Sequence, residues 1–569
     1  MANNKAASPR RQSETLWLSG IALAPKDGGP VEMENFRVTQ SGAVEKRWGY
    51  TPTLALPGKP RACYAGYVQG KTERCFLIGD EVYRLTPDRF PGYLSVGRIG
   101  TTDGDAAFVA YLGELYLLDG DGIYLVTGGA VERIEGYIPL YGDGWDPIER
   151  GAILEPENRM TRRVRIRYRN PAGERSFYFG RRVTSVDRVT ADGREIPISD
   201  VTLLTGGYGC TAAALENALD VEMLVTVEGE GADTVSSFRS AFSFGRASDT
   251  SLFCYGGDDG TVFAASRFVT DTARAASEEI GRTVGGGIYF PVTDALYRLP
   301  APITAVCRHN DRVLLFTGEG TWGVECEGDR FAVVSVHPSV GCDKKNAAVL
   351  AMNTPITYFG GRLYRFKEKL SGRSECNAEV ISDAVADIAA EMRDGEIVMA
   401  YYGALSEIWL AEAKNDIGRV IVYRPDREVF YTYTGIYLDR MMPASDDVTF
   451  ALGETLYRLD VGTTRDCGTR EIVARCRTGY LTFGDAGKRK RFLGFDGEAS
   501  PNGGEITLRA HADCGEGAAF VLRGRERDGL PVYVTGRRSI GRFRYLYCTV
   551  VCPGEARQKI LSLRLHARA

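Results

Sequence analysis

Four histidines are the scarcest chemistry-bearing side chains in this 569-residue chain, and His309, His337, His511 and His566 lie far apart in it. No His-x-x-x-His or Glu-x-x-His pair brings two ligands to one face, so the spacing that holds a metal is missing. Thirteen cysteines are scattered without paired spacing. Cys548 and Cys552 are close neighbours, but no second pair accompanies them to make a zinc knuckle. The turn Asp119-Gly120-Asp121-Gly122 offers oxygens of the kind calcium needs. It lacks the closing bidentate Glu at loop spacing and reads as a hairpin turn. The adjacent acids Asp258-Asp259 and Asp446-Asp447 are raw material for a glycosidase dyad. Neighbours on a strand point to opposite faces, so neither pair serves as one. There is no Gly-x-Ser-x-Gly elbow and no phosphate loop. The glycine clusters Gly285-Gly286-Gly287 and Gly206-Gly207 precede no helix and read as turns. These observations predict a chain without enzymatic activity and without a catalytic residue, cofactor or metal site.

Two basic groups remain as candidates for contact with a partner. The stretch Val164 to Tyr168 alternates with arginines, which places Arg163, Arg165, Arg167 and Arg169 on one strand face and Val164, Ile166 and Tyr168 on the other. Such a face suits an acidic neighbouring subunit or a phosphate-bearing ligand. Lys488, Arg489, Lys490 and Arg491 form a basic run at a hairpin tip. Net charge is only −4, so nucleic acid is not an expected partner. No uninterrupted apolar window approaches the roughly 18 residues a membrane span needs. Unpaired cysteines and the lack of a leader-like apolar start predict buried, reduced thiols in a protein made in a cytoplasm.

The elements that must position these groups are strands. Val82-Tyr83-Arg84-Leu85, Leu296-Tyr297-Arg298-Leu299, Leu363-Tyr364-Arg365-Phe366 and Leu456-Tyr457-Arg458-Leu459 repeat one apolar, aromatic, arginine, apolar pattern. Looser copies include Ile123-Tyr124-Leu125, Val262-Phe263-Ala264, Trp322-Gly323-Val324 and Ile408-Trp409-Leu410. The aromatic markers recur about every 40 to 50 residues, the period of a β-propeller blade. With 67 glycines and 29 tyrosines, the chain reads as all-β. The expected fold is a β-propeller of six or seven blades with an inserted small β-sandwich and a C-terminal β-sandwich or jelly-roll. The expected divisions are a disordered polar arm at 1–15, a first propeller portion at 16–154, an inserted β domain at 155–231, a second propeller portion at 232–462 and the C-terminal sandwich at 463–569. Tyr297 and Trp322 are close enough to share a blade, which leaves the count open by one. A short helix is expected over 384–392.

Three stretches carry a resemblance. Asn35 before a strand, a turn at Gly42, and the ending Arg47, Gly49, Tyr50 resemble a segment at the start of many tailed-bacteriophage virion proteins. The hairpin ending Phe316-Thr317, the turn Gly341-Cys342 and the strand-turn-strand unit through Tyr364 are similar to the same proteins. So is the C-terminal part, where Phe483-Gly484 precedes the basic turn. The resemblance implies a structural component of a phage or prophage particle, at the tail, neck or head-tail junction. It implies other virion proteins as partners, a ring-forming homo-oligomer or hetero-assembly, and residence in the virion after synthesis in the host bacterial cytoplasm. The rival expectation is a carbohydrate-binding or glycan-degrading propeller protein, adhesin- or tailspike-like, with Trp145, Trp322 and Trp409 as candidate sugar-stacking rings.

Overall fold

A computed structural model describes residues 11–568 except 17, 24–26, 87–89, 230–232, 246–250, 328–329, 369–375, 414–415, 444–447, 485, 514, 516 and 524–530. Asp446 and Asp447 therefore lie outside the described residues. Strand outweighs helix, 54% to 6%, and the fold is all-β with propeller-like organisation. Six four-stranded antiparallel sheets and a seventh four-strand run within a larger sheet succeed one another along the chain. They span 60–98, 107–133, 240–298, 303–337, 348–380, 397–433 and 440–460, and are called the first to seventh sheets below. In each, consecutive strands pair with their chain neighbours. The seventh has only three such strands and takes its fourth, Gly49–Ala55, from near the start of the chain.

Packing between sheets follows chain order. The leading strand Pro60–Val68 lies beside Ala107–Tyr111, which lies beside Ser240–Phe244. Ile303–His309 lies beside Ala348–Ala351, then Ile397–Tyr402, then Arg440–Pro443, which returns to Pro60–Val68. The third and fourth sheets meet through an edge-on Phe253–Phe331 pair at 4.8 Å and a hydrogen bond from Ile303 N to Gly260 O. Several strands are buried along their whole length, among them Arg312–Thr317, Ser251–Tyr255 and Val420–Arg424, so both faces of these sheets bury side chains against their neighbours. Leu77, Val82, Leu115 and Leu117 fill one such interface and Leu56, Phe76, Met442 and Leu456 another.

The repeated aromatics hold equivalent places. Tyr83, Tyr124, Phe263, Trp322, Tyr364 and Tyr457 lie on the third strand of their sheets. Trp409 lies on a second strand. Tyr297 occupies the fourth strand of the third sheet, stacked on Phe263 at 5.1 Å. It shares a sheet with Phe263 and not with Trp322, because the helix Asp271–Gly281 separates the last two strands of that sheet.

Between the second and third sheets lies a small two-sheet unit. Leu140–Trp145, Arg163–Arg169, Asp220–Val227, Val183–Ala191 and Arg194–Ile196 form five strands, and Ser176–Tyr178, Gly209–Thr211 and Thr202–Leu203 form three. Its core holds Trp145, Ile166, Tyr168, Phe177 and Met223. Pairing thus begins at Leu140, upstream of residue 155. The C-terminal part is also built from two sheets. One contains Lys490–Ser500, Val532–Arg537 and Lys559–Arg568 with Phe36–Val38 and Val44–Lys46. The other extends the sixth sheet through Pro30–Glu34, Ala474–Thr478, Leu546–Cys552 and Glu505–Ala512 to Gly517–Arg523.

One expectation is corrected by this pairing. Residues 11–15 of the expected disordered arm belong to the strand Arg11–Leu16, which runs antiparallel to Lys559–Arg568. Leu16 is buried and Ser13 Oγ lies 2.8 Å from His566 Nδ1, so backbone pairing and an apolar anchor fix the polar stretch.

Candidate functional site

The segment from Glu34 to Tyr50 sits where the sixth sheet, the seventh sheet and the C-terminal sandwich meet, and forms a buried polar clasp. Asn35 adopts a left-handed backbone with φ 55°, a conformation asparagine tolerates better than most residues. Its Oδ1 accepts from Arg47 Nε at 2.8 Å and from the Thr434 backbone N–H at 3.0 Å. Its Nδ2 donates to Thr434 Oγ1 and to Val473 O. Arg47 uses all five N–H groups: one on Asn35, two on Asp466 at 2.8 and 2.6 Å, and one each on the carbonyls of Trp48 and Thr434. Both side chains of the Arg47–Asp466 pair are at most 3% exposed. A buried pair survives when it is bidentate and every remaining donor is satisfied, which is the arrangement here.

The residues that follow close the seventh sheet. Gly49 has no room for a side chain, since a Cβ there would lie 2.0 Å from the Arg465 carbonyl oxygen. Tyr50 donates its hydroxyl to Gly435 O at 2.9 Å and meets Phe450 and Tyr457 edge-on. Gly49→Ala is therefore expected to destabilise the protein by about 1–3 kcal/mol or more, read as a lowered urea midpoint, because backbone must shift to admit a methyl.

A second knot lies one turn earlier. Arg37 lies 3.9 Å over the Trp48 ring and faces Glu45 at 3.3 Å and Glu407 at 3.6 Å. Glu407 is wholly buried and accepts from Trp409 Nε1 at 3.0 Å and Tyr431 Oη at 2.9 Å. Beside it, Lys46 is wholly buried and donates to Gly554 O. Burial pushes its ammonium down to about 8, against the pull of Glu471. The folded value lies below the unfolded one, so charged Lys46 costs stability below pH 8, by at most about 3 kcal/mol. That cost fades as pH rises from 8 to 10.5. Lys46→Met is expected to be more stable than the parent by about 1–2 kcal/mol at pH 7. The gap should close by pH 10 in paired urea melts, where alkaline effects of the buried thiols cancel between the two proteins.

Of the two basic groups, the arginine strand docks within its own chain. Arg163 pairs with Glu135 at 2.8 Å and Asp187 at 3.5 Å, Arg167 with Glu222 at 3.5 Å, and Arg169 with Asp220 at 3.1 Å. Arg163 also donates to Gly281 O, and Arg188 to the carbonyls of Glu279 and Ile280. Those carbonyls end the helix Asp271–Gly281, where orphan acceptors and the negative dipole end favour guanidinium groups. Arg165 corrects the expectation of partner contact: it is 2% exposed and donates to Ile138 O at 3.1 Å. Lys490 is a second correction, being 1% exposed with its ammonium on Lys488 O at 3.2 Å, while Lys488, Arg489 and Arg491 are exposed. Strand alternation accounts for Lys490, which lies between exposed Arg489 and Arg491, whereas Arg165 shares a face with exposed Arg167 and Arg169 and is covered locally by Ile138 and Tyr137.

The remaining chemistry-bearing groups are held in turns or buried. Asp119 Oδ1 accepts from the backbone N–H groups of Asp121 and Gly122, and Oδ2 from Thr101. Its lone pairs hold the turn. Asp259 accepts from the backbone and hydroxyl of Thr261 and pairs with Arg298, while Asp258 faces Arg239. Burial pushes the thiols of Cys75, Cys210, Cys307, Cys476 and Cys552 up to about 12, which removes the thiolate a nucleophile requires. Trp409 is wholly buried and Trp145 nearly so, and Trp322 is half-buried against the third sheet's core.

A cavity of about 340 Å³ is lined by the leading strands of several sheets, including Ala62, Phe108, Ser240, Val398 and Met441. Two of its acids are paired: Asp105 with Lys345, and Asp439 with Lys59 at 3.3 Å. Burial opposes ionisation of Asp105, but the hydrogen bond from Lys345 and the nearby charges of Arg440 and Arg239 outweigh it and hold the carboxyl below its usual range.

No protein-family model matches this chain, and no curated protein matches it by sequence. Some solved structures show a distant likeness. It is similar to PorZ, a bacterial surface component of the type-IX secretion system of Porphyromonas gingivalis, at 11% identity and TM-score 0.35, over 86% of this chain and 46% of that one. It is similar to the extracellular domain of the putative hybrid two component system BT4673 from B. thetaiotaomicron, at 9% identity and TM-score 0.39, over 90% of this chain and 62% of that one. It is also similar to the β-propeller domain of Cps50 (Swd1) from Myceliophteria thermophila, at 8% identity and TM-score 0.29, over 72% of this chain and all of that one. The chain spans about half of the first and under two thirds of the second. All three scores are below 0.5, and the strand pairings above carry the description of the fold.

Several clasp residues are not visible as such in the sequence. Asp466, Glu407 and Thr434 stand some 370 to 430 residues from Arg37 and Arg47, and no local pattern marks them. Asn35, Arg47, Gly49 and Tyr50 were marked by the motif, and each has a structural task in the clasp.

Proposed function

We propose that this chain is a non-enzymatic structural component of a tailed-phage or prophage particle, acting through protein–protein contacts at the tail, neck or head-tail junction. We infer further that its seven sheets are blades of one closed ring, with Gly49–Ala55 completing the last. A ring closed by its own N-terminal segment leaves no long sheet edge to seek a partner, which suits a rigid assembly part. The observation that carries the reading is the clasp: the stretch resembling phage virion proteins, Asn35 to Tyr50, is spent on locking the ring to the C-terminal sandwich. Asn35, Arg47 and Tyr50 in it serve rigidity.

Mass spectrometry of gradient-purified particles from the producing host is the test. Peptides of this chain are expected at a copy number fixed relative to other tail or neck proteins. Abundant expression in lysates with no chain in the particles would overturn the assignment. Exposed Lys488, Arg489 and Arg491 remain proposed contacts to a neighbouring virion protein.

A further inference from the structure

The outer face of the C-terminal sheet carries an aromatic and polar platform that the structural role does not use. Register brings its residues into rows. Arg477 stands opposite Thr549, and Thr549 opposite Arg509. One row on, Tyr547 stands opposite His511, whose far neighbour is Gly517. The His511 and Tyr547 rings stack at 4.7 Å and 13°, and His511 Nε2 lies 2.8 Å from Thr549 Oγ1. Tyr480 meets Tyr547 and Tyr545 edge-on at 5.8 and 6.1 Å. Tyr480 is 61% exposed and Tyr545 40%.

Exposed rings held in mutual contact are an apolar surface that no described residue covers. Polar groups flank them on the same sheet. Among the described residues no carboxylate lies within ion-pair distance of Arg509 or Arg475. Asp513 accepts from the Arg544 backbone N–H, and Glu32 pairs with Arg477. The platform therefore combines ring faces, hydroxyls, guanidinium donors and carboxylate acceptors.

We propose that this face binds a pyranose-based glycan chain. The C–H face of a pyranose packs on Tyr480 and Tyr545, as apolar area does on aromatic rings. Its hydroxyls both donate and accept, so they match Asp513 and Glu32 as acceptors and Arg509 and Thr549 as donors. A single-stranded nucleic acid also stacks on aromatics, but its phosphates only accept, so they offer no donor to Asp513 and Glu32. The mixed polar set thus favours the polyol. The site is separate from the clasp, and its failure would leave the particle assignment standing.

The test is a printed glycan array probed with labelled full-length chain, followed by titration calorimetry with the strongest oligosaccharide and by anisotropy with a twelve-residue oligo-dT. Tyr480→Ala and Arg509→Ala are expected to weaken the oligosaccharide at least about tenfold each, the change that 1.4 kcal/mol produces. Tyr533→Ala, an exposed tyrosine on the other sheet, is expected to leave binding unchanged. Circular dichroism confirms folding of each variant. An array without retained signal, glycan binding indifferent to both platform variants, or tighter binding of oligo-dT than of any glycan would each overturn the proposal.

Discussion

Asp466→Ala is expected to lower stability by about 3–5 kcal/mol, the cost of leaving a buried charge without its partner. Arg47 is too enclosed to turn its guanidinium to water, and its three other hydrogen bonds fix it in place. The loss is expected as a drop in the urea midpoint followed by tryptophan fluorescence, to which Trp48 contributes from within the clasp. Arg169→Ala provides the contrast. Arg169 and Asp220 also form an ion pair, at 3.1 Å, but their side chains are 71% and 60% exposed. An exposed pair of this kind contributes about 0–1 kcal/mol, so the two alanine variants should separate widely. Equal effects would remove the clasp from the account.

Glu407→Ala is the second large expected effect, again about 3–5 kcal/mol. It strips acceptors from Trp409 Nε1 and Tyr431 Oη and removes a carboxylate from Arg37. An unsatisfied buried donor costs about 1–3 kcal/mol by itself. Glu407→Gln keeps one acceptor oxygen for Trp409 Nε1 and places an amide N–H that donates to the Tyr431 hydroxyl oxygen, while losing the charge facing Arg37, so it should fall between the parent and the alanine variant. Melting curves of the three proteins order them. A glutamine variant as unstable as the alanine one would mean that charge, and not hydrogen bonding, dominates the knot.

Much of the architecture was legible because strand grammar is local. The markers Tyr83, Tyr124, Phe263, Trp322, Tyr364 and Tyr457 fall on equivalent third strands, so the period reflected a repeated sheet. Tyr297 misled because it copies the same letters on a fourth strand. The short helix expected over 384–392 appears as Ala386–Glu391, preceded by a 3₁₀ turn. The helix Asp271–Gly281 escaped notice although Thr270 caps it and accepts from the Ala273 N–H; a cap followed by Asp271 in the first turn was the available signal.

The site was less legible, for a physical reason. Alternation showed that Arg163, Arg165, Arg167 and Arg169 share a face, but not that a helix C-terminus and Glu135 from the same chain cover part of it. Long-range partners such as Asp466 carry no local signature. Asn35, Arg47, Gly49 and Tyr50 were visible as a motif, while their tasks became visible only with their partners in place.

Hydrogen exchange on the strand Gly49–Ala55 tests the ring most directly. If this segment completes the seventh sheet, its amides facing Thr455–Asp460 should be protected to the same degree as the strands Val448–Leu452 and Thr455–Asp460, and should lose protection together with them in Asp466→Ala. Rapid exchange of Gly49–Ala55 while those two strands stay protected would show a loose terminus lying against an open array, and would contradict the account.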